Sequence, residues 1–92
     1  MQPEEVFRNA NERVAETARR LELPPPIPFL CECSDRRCFA HIQLSLAEYD
    51  EIRAHAQTYL IVRGHEVTDA FLIEQDDRFA LVEKLYANVD SP

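Results

Sequence analysis

Only one glycine, Gly64, occurs in the 92 residues. A glycine-rich phosphate cradle is thereby excluded, and nucleotide hydrolysis has no support. Long apolar runs are missing as well, since none approaches the roughly 20 residues that a membrane-crossing helix needs. The opening MQPEEVFRNANERV is polar and acidic where a secretory leader would be basic and then apolar. These two features give the cytoplasm as the expected location, with no membrane partner. Positive charge is also in deficit: 10 Lys and Arg stand against 17 Asp and Glu, for a formal net charge of −7. A nucleic-acid binder would show the opposite footprint. Arg36–Arg37 and Arg19–Arg20 read more simply as solvated loop and helix-end charges. The acidic balance suits solubility, or docking onto a basic protein surface.

What the chain does have is sulfur in one place. Its three cysteines, Cys31, Cys33 and Cys38, all fall within FLCECSDRRC. An odd number cannot form a complete disulfide framework, and the expected reducing compartment disfavours one. Thiolates are soft ligands that suit Zn²⁺, and a structural zinc takes four ligands in a tetrahedron. A domain this small also gains from a metal cross-link. The fourth ligand should be a histidine, and there are three. His65 follows Gly64 at a turn that can double back and project it. His41 lies three positions after Cys38, on a strand that would have to swing it back. His55 sits near a helix end, where a cation is favourable without any ligand role.

The surrounding pattern predicts a single α+β domain over 1–92, a small antiparallel sheet with two helices on one face, stapled by one zinc site. An N-terminal helix over 3–22 has Pro3, Glu4 and Glu5 at its start and Arg19 and Arg20 at its end. Val6, Phe7, Ala10, Val14, Ala18 and Leu21 form its apolar stripe, and Arg8–Glu12 and Glu16–Arg20 its i,i+4 pairs. The proline-rich connector 23–28 stops it. The zinc-binding core, 29–86, then begins with a strand through Ile27, Phe29 and Leu30. A half-buried strand through Ala40, Ile42 and Leu44 comes next. SLAE at 45–48 is a capping box opening a second helix to about Ala56, which buries Leu46, Tyr49 and Ile52. TYLIV at 58–62 is a strand, and AFLIEQ and RFALVEK form a closing hairpin about an Asp-Asp turn. The tail NVDSP should fray.

FLCECSDRRC, SLAEYDEIRA, YLIVRGHE and the closing LVEK together resemble a small bacterial family of actinobacterial type. Its pattern is FLCEC-x4-C, then a Ser/Thr-Leu-x-Glu-Tyr helix, then Gly-His-Glu. The likeness runs from Phe29 to Lys84, with a weaker echo in VFRNANERV. It implies Cys31, Cys33, Cys38 and His65 as the metal set, favouring His65 over His41, and it implies no activity. The cysteine window alone is similar to the post-SET zinc loop of histone lysine methyltransferases. The chain is too short for that enzyme domain and lacks its cofactor motifs, so this second likeness concerns metal geometry only.

Three thiolates, a neutral imidazole and Zn²⁺ carry one net negative charge, which Arg36, Arg37 and backbone amides could offset. Catalytic zinc keeps an open position, whereas a full Cys3His set closes it. The deaminase pattern H-x-E with P-C-x-x-C is absent. Glu66, Glu32 and Asp35 could be imagined as a general base, but acidic residues around a loop are common. The expected role is therefore a small zinc-binding module, interacting with or regulating another protein, without an enzyme's constellation. The alternative is a redox-responsive zinc switch, in which oxidation of Cys31 or Cys33 ejects the metal.

Overall fold

The computed structural model describes residues 2–85. The NVDSP tail and the last residue assigned to the core lie outside them. Helix α1 spans Pro3–Leu21 and places proline, Glu4 and Glu5 in its first turn. It ends where Glu22 turns left-handed (φ 53°) and the Leu23 amide donates to the Ala18 carbonyl at 3.0 Å, a Schellman-like stop ahead of the prolines.

The buried face of α1 shares only part of the expected apolar stripe, with Ala18 buried and Val14 packed against the core. Val6 and Leu21 are 48% and 56% exposed, and the helix buries Glu4, Asn11, Ala15 and Ala18. Two alanines allow close approach to the strands, while Glu4 and Asn11 are buried because each finds hydrogen-bond partners there. The expected Arg8–Glu12 pair gives way to longer-range contacts. Arg8 reaches the Ala56 carbonyl and lies over the Tyr59 ring, and Glu12 takes Arg53 at 3.2 Å.

Strands β1 (Ile27–Leu30) and β2 (His41–Leu44) form an antiparallel hairpin with Ile27 opposite Leu44 and Leu30 opposite His41. The capping box forms as read: the Ser45 hydroxyl accepts from the Glu48 amide, and the Glu48 carboxylate accepts from the Ser45 amide. It opens α2 (Leu46–Arg53), which is three residues shorter than the pattern suggests. Ala54, His55 and Ala56 are all exposed, so a further turn of helix would bury nothing.

Strands β3 (Thr58–Ile61), β4 (Ala70–Gln75) and β5 (Ala80–Lys84) make a second antiparallel sheet in the order β3-β5-β4. Asp76 shapes the β4–β5 turn by accepting from the Arg78 and Phe79 amides. The α+β class is as expected, with five strands divided between two small sheets. Strand β3 is buried along its whole length and serves two cores. Leu60 joins Phe29, Leu44, Tyr49 and Ile52 under the helices. Tyr59 and Ile61, on the other face, join Cys31, Cys33, Val67, Ala80 and Val82. The Phe29 and Tyr49 rings stack with centroids 4.3 Å apart, fixing β1 against α2.

Candidate metal centre

The cysteine loop starts as the continuation of β1 and then crosses to the other sheet. The Cys31 amide donates to the Ala40 carbonyl at 3.0 Å, and the Glu32 amide donates to the Leu60 carbonyl at 2.7 Å. One residue step thus carries the chain from the hairpin to β3. Beyond Cys33 the Ser34 amide donates to the Glu66 carbonyl at 2.9 Å, tying the loop to the segment that bears His65. The loop then closes on itself: the Cys38 amide reaches the Asp35 carbonyl, and the Asp35 carboxylate accepts from the Arg37 amide, both at 2.9 Å.

His65 arrives on a tight turn, its amide donating to the Val62 carbonyl at 3.0 Å. Gly64 occupies the third position of that turn with φ 89°, the left-handed geometry that a type II turn demands there. The single glycine of the chain is spent on aiming this histidine.

The result is a cluster of four ligand atoms, from Cys31, Cys33, Cys38 and His65, all within 4.8 Å of one another. His65 Nδ1 lies 3.5 Å from Cys31 Sγ and 3.6 Å from Cys38 Sγ. This group is positioned to hold a metal ion. His41 and His55 stand elsewhere, the first exposed on β2 opposite Leu30 and the second in a cleft with Glu48, Glu51 and Glu74. Cys31 and Cys33 are buried, Cys38 is half-buried and His65 is exposed, so the cluster sits at the surface with its sulfur side inward.

The electrostatics of the bare cluster favour protons on sulfur. Burial, followed by the neighbouring sulfurs, raises the Cys31 thiol above its ordinary value despite the Val62 amide, which donates to its sulfur at 3.2 Å. Burial likewise raises Cys33. A cation at the centre would reverse this, as a coordinated thiol is deprotonated outright. Arg36 and Arg37 are exposed within the loop, and Arg36 lines a shallow cleft with Pro3, Val6 and Phe7.

Two buried carboxylates hold the loop in place, a role the sequence reading gave to neither. Glu32, between the two buried cysteines, accepts from the Leu60 amide at 2.9 Å, Asn11 Nδ2 at 2.7 Å and the Arg53 guanidinium at 2.5 Å. Burial raises its carboxyl above the usual range while Arg53, Asn11 and Leu60 pull the other way. With both carboxylate oxygens hydrogen-bonded and no exposure, it is unsuited to the general-base role the sequence allowed it. Asn11 also grips the Leu30 backbone from both sides, accepting from its amide at 2.8 Å and donating to its carbonyl at 2.9 Å.

Glu4 is the second buried carboxylate. It accepts from the Ser34 hydroxyl at 3.0 Å and from Lys84 at 2.6 Å, and Ser34 in turn accepts from the Thr68 amide at 2.7 Å. Burial raises the Glu4 carboxyl, but hydrogen bonds from Lys84, its own amide and Ser34 outweigh that and hold it below the ordinary value. The sequence signal available for both was a polar residue at a helical position facing inward, together with a charge placed between two cysteines. No helix among the described residues is long and apolar enough to cross a membrane. No protein-family model matches the chain, and neither does any curated protein or solved structure.

Proposed function

We propose that Cys31, Cys33, Cys38 and His65 bind one structural Zn²⁺, and that the chain is a small zinc-stapled module that binds or regulates another protein. The single observation behind the zinc assignment is metric. Zinc bonds of about 2.3 Å to sulfur and 2.0–2.1 Å to nitrogen, at tetrahedral angles, set sulfur and nitrogen about 3.5 Å apart. The two His65 to cysteine distances are 3.5 and 3.6 Å. Sulfurs on the same ion would stand about 3.8 Å apart, and with all four atoms within 4.8 Å of one another no pair needs to close by more than about 1.3 Å. Four protein ligands fill the coordination sphere, which leaves no position for a reacting water. The likeness of Phe29 to Lys84 to the bacterial FLCEC-x4-C family implies the same four ligands, and we also propose that the chain belongs to that family.

Elemental analysis of the purified protein tests the metal, with about one zinc per chain expected. A folded chain free of metal would overturn the assignment. The interaction role is tested by comparing proteins retained from the native lysate by the zinc-loaded chain and by its chelated form. A redox-responsive switch is the second reading, favoured by the half-exposed Cys38, through which a small oxidant could reach the cluster. Zinc that stays bound through mild peroxide treatment argues against it; zinc that leaves and returns on reduction supports it.

A further inference from the structure

The cysteine loop prolongs the β1–β2 hairpin, and the three cysteines hold unequal places along it. Leu30 pairs with His41, and the Cys31 amide donates to the Ala40 carbonyl one step further in the same register. The next amide, that of Glu32, points to the opposite side and meets Leu60 on β3, the alternation of an extended chain. Continued as far as Cys33, this register sets it across from Cys38. There the chain closes on one acceptor: the Asp35 carbonyl takes the Cys38 amide at 2.9 Å and the Cys33 thiol at 3.9 Å.

A disulfide needs Cα atoms roughly 4.4–6.8 Å apart and Cβ atoms roughly 3.5–4.5 Å apart. Residues directly opposite in an antiparallel pair stand about 4.5–5.5 Å apart at Cα, inside that window. In the same register Cys31 and Cys38 are diagonal neighbours, about 7–8 Å apart and outside it. Cys31 and Cys33 are alternate residues of one extended segment, with near-parallel Cβ bonds about 6.5 Å apart. Cys31 is held elsewhere as well, its sulfur accepting from the Val62 amide at 3.2 Å. Access also separates the thiols. Cys31 and Cys33 are each 1% exposed, whereas Cys38 is half-buried.

We infer that a hydroperoxide oxidises the cluster at Cys38 and that the product is a Cys33–Cys38 disulfide. This rests on the redox-responsive reading of the site and names the bond that would release its metal. The Cys38 thiolate attacks one peroxide oxygen; the S–O bond forms, the O–O bond breaks and hydroxide leaves. The Cys33 thiolate then attacks the Cys38 sulfur; the S–S bond forms, the S–O bond breaks and a second hydroxide leaves. Two thiolates thus give up two electrons to one peroxide. Cys31 and His65 remain, two ligands where a structural zinc takes four. Oxidant enters at Cys38, and not at Cys31 or Cys33 as the sequence led us to expect.

Peptide mapping of the zinc-loaded full chain after mild hydrogen peroxide tests this. Zinc release is followed with a chromogenic chelator, and the remaining free thiols are alkylated in denaturant before digestion. Cleavage after Glu32, Arg36 and Arg37 puts each cysteine in a peptide of its own. The expected product joins the peptide that begins at Cys33 to the one that begins at Cys38, with Cys31 alkylated. The link should accumulate in step with zinc release and disappear on reduction. Zinc release with a link to Cys31, with a link between two chains, or with Cys38 sulfinic acid and no link overturns the inference and leaves the switch standing. Zinc retained under peroxide, with all three thiols alkylated, overturns both.

Discussion

Arg53 donates to the Glu32 carboxylate at 2.5 Å, from the end of α2 into the interior between two candidate metal ligands. Its guanidinium also reaches the Thr58 carbonyl at 3.0 Å and Glu12 at 3.2 Å, so one side chain braces the loop, β3 and α1 together. The loop cannot shift without uncovering a charge.

Replacing Arg53 with methionine keeps the packing volume and leaves Glu32 buried without its cation. The expected loss is about 3 kcal/mol by urea denaturation of the metal-loaded protein. Glu32→Gln in the same chain should recover part of it, since the stranded charge is then gone. An Arg53→Met variant as stable as the parent would mean that Glu32 is neutral in the fold.

His65→Ala should lower metal affinity by more than about 100-fold, beyond the 10–100-fold that loss of a supporting hydrogen bond alone brings. His41→Ala should leave it within a factor of about two, being outside the ligand set. Competition with a chromogenic chelator measures both. The reverse ranking would remove His65 from the site.

Gly64→Ala isolates backbone strain, because a Cβ there meets no atom within 4 Å while φ stays at 89°. An L-residue in that region costs roughly 1–2 kcal/mol, and the cost falls on the turn that presents His65. Thermal melts should show lower stability for the variant, with weaker metal retention than the parent. Unchanged values in both would show that the turn relaxes freely.

The Glu4 carboxyl sits below its ordinary value of 4.5 in the fold. A lowered folded value means that its contribution is complete above the unfolded value and is lost as pH falls through the folded one. Glu4→Gln should therefore be less stable than the parent at pH 7 by about 1–3 kcal/mol, from the buried Lys84 and Ser34 bonds. The gap should narrow below about pH 4.5 as the parent's own carboxyl takes up its proton. A gap independent of pH would assign the loss to packing.

Much of this molecule was legible because local chemistry and tertiary structure agree. The capping box at Ser45–Glu48, the Asp76 turn and the alternation of Ile42 and Leu44 all depend on neighbours close in sequence. The clustering of three cysteines posed a demand that Gly64 and His65 could be seen to meet. Helix α1 misled for the opposite reason. Its apolar residues were read as a core stripe, of which Val14 and Ala18 do face the core, but Asn11 and Glu4 are buried beside them through partners 19 and 30 residues away. Arg53 and Glu32, 21 residues apart, were equally invisible. A buried polar residue declares itself only through its partner, and spacing along the chain does not name that partner.

Three of the four candidate ligands lie within one short loop, while His65 stands 27 residues beyond Cys38. That asymmetry gives metal capture a natural order in time. The thiols can meet an ion while most of the chain is still unfolded, because closing so small a ring takes on the order of 100 ns or less. The imidazole, 27 residues further on, would join last, once β2, α2 and β3 bring the Val62–His65 turn against the loop. Metal arriving early would thus be held first by sulfur alone, and completion of its coordination would mark the final docking of one sheet against the other.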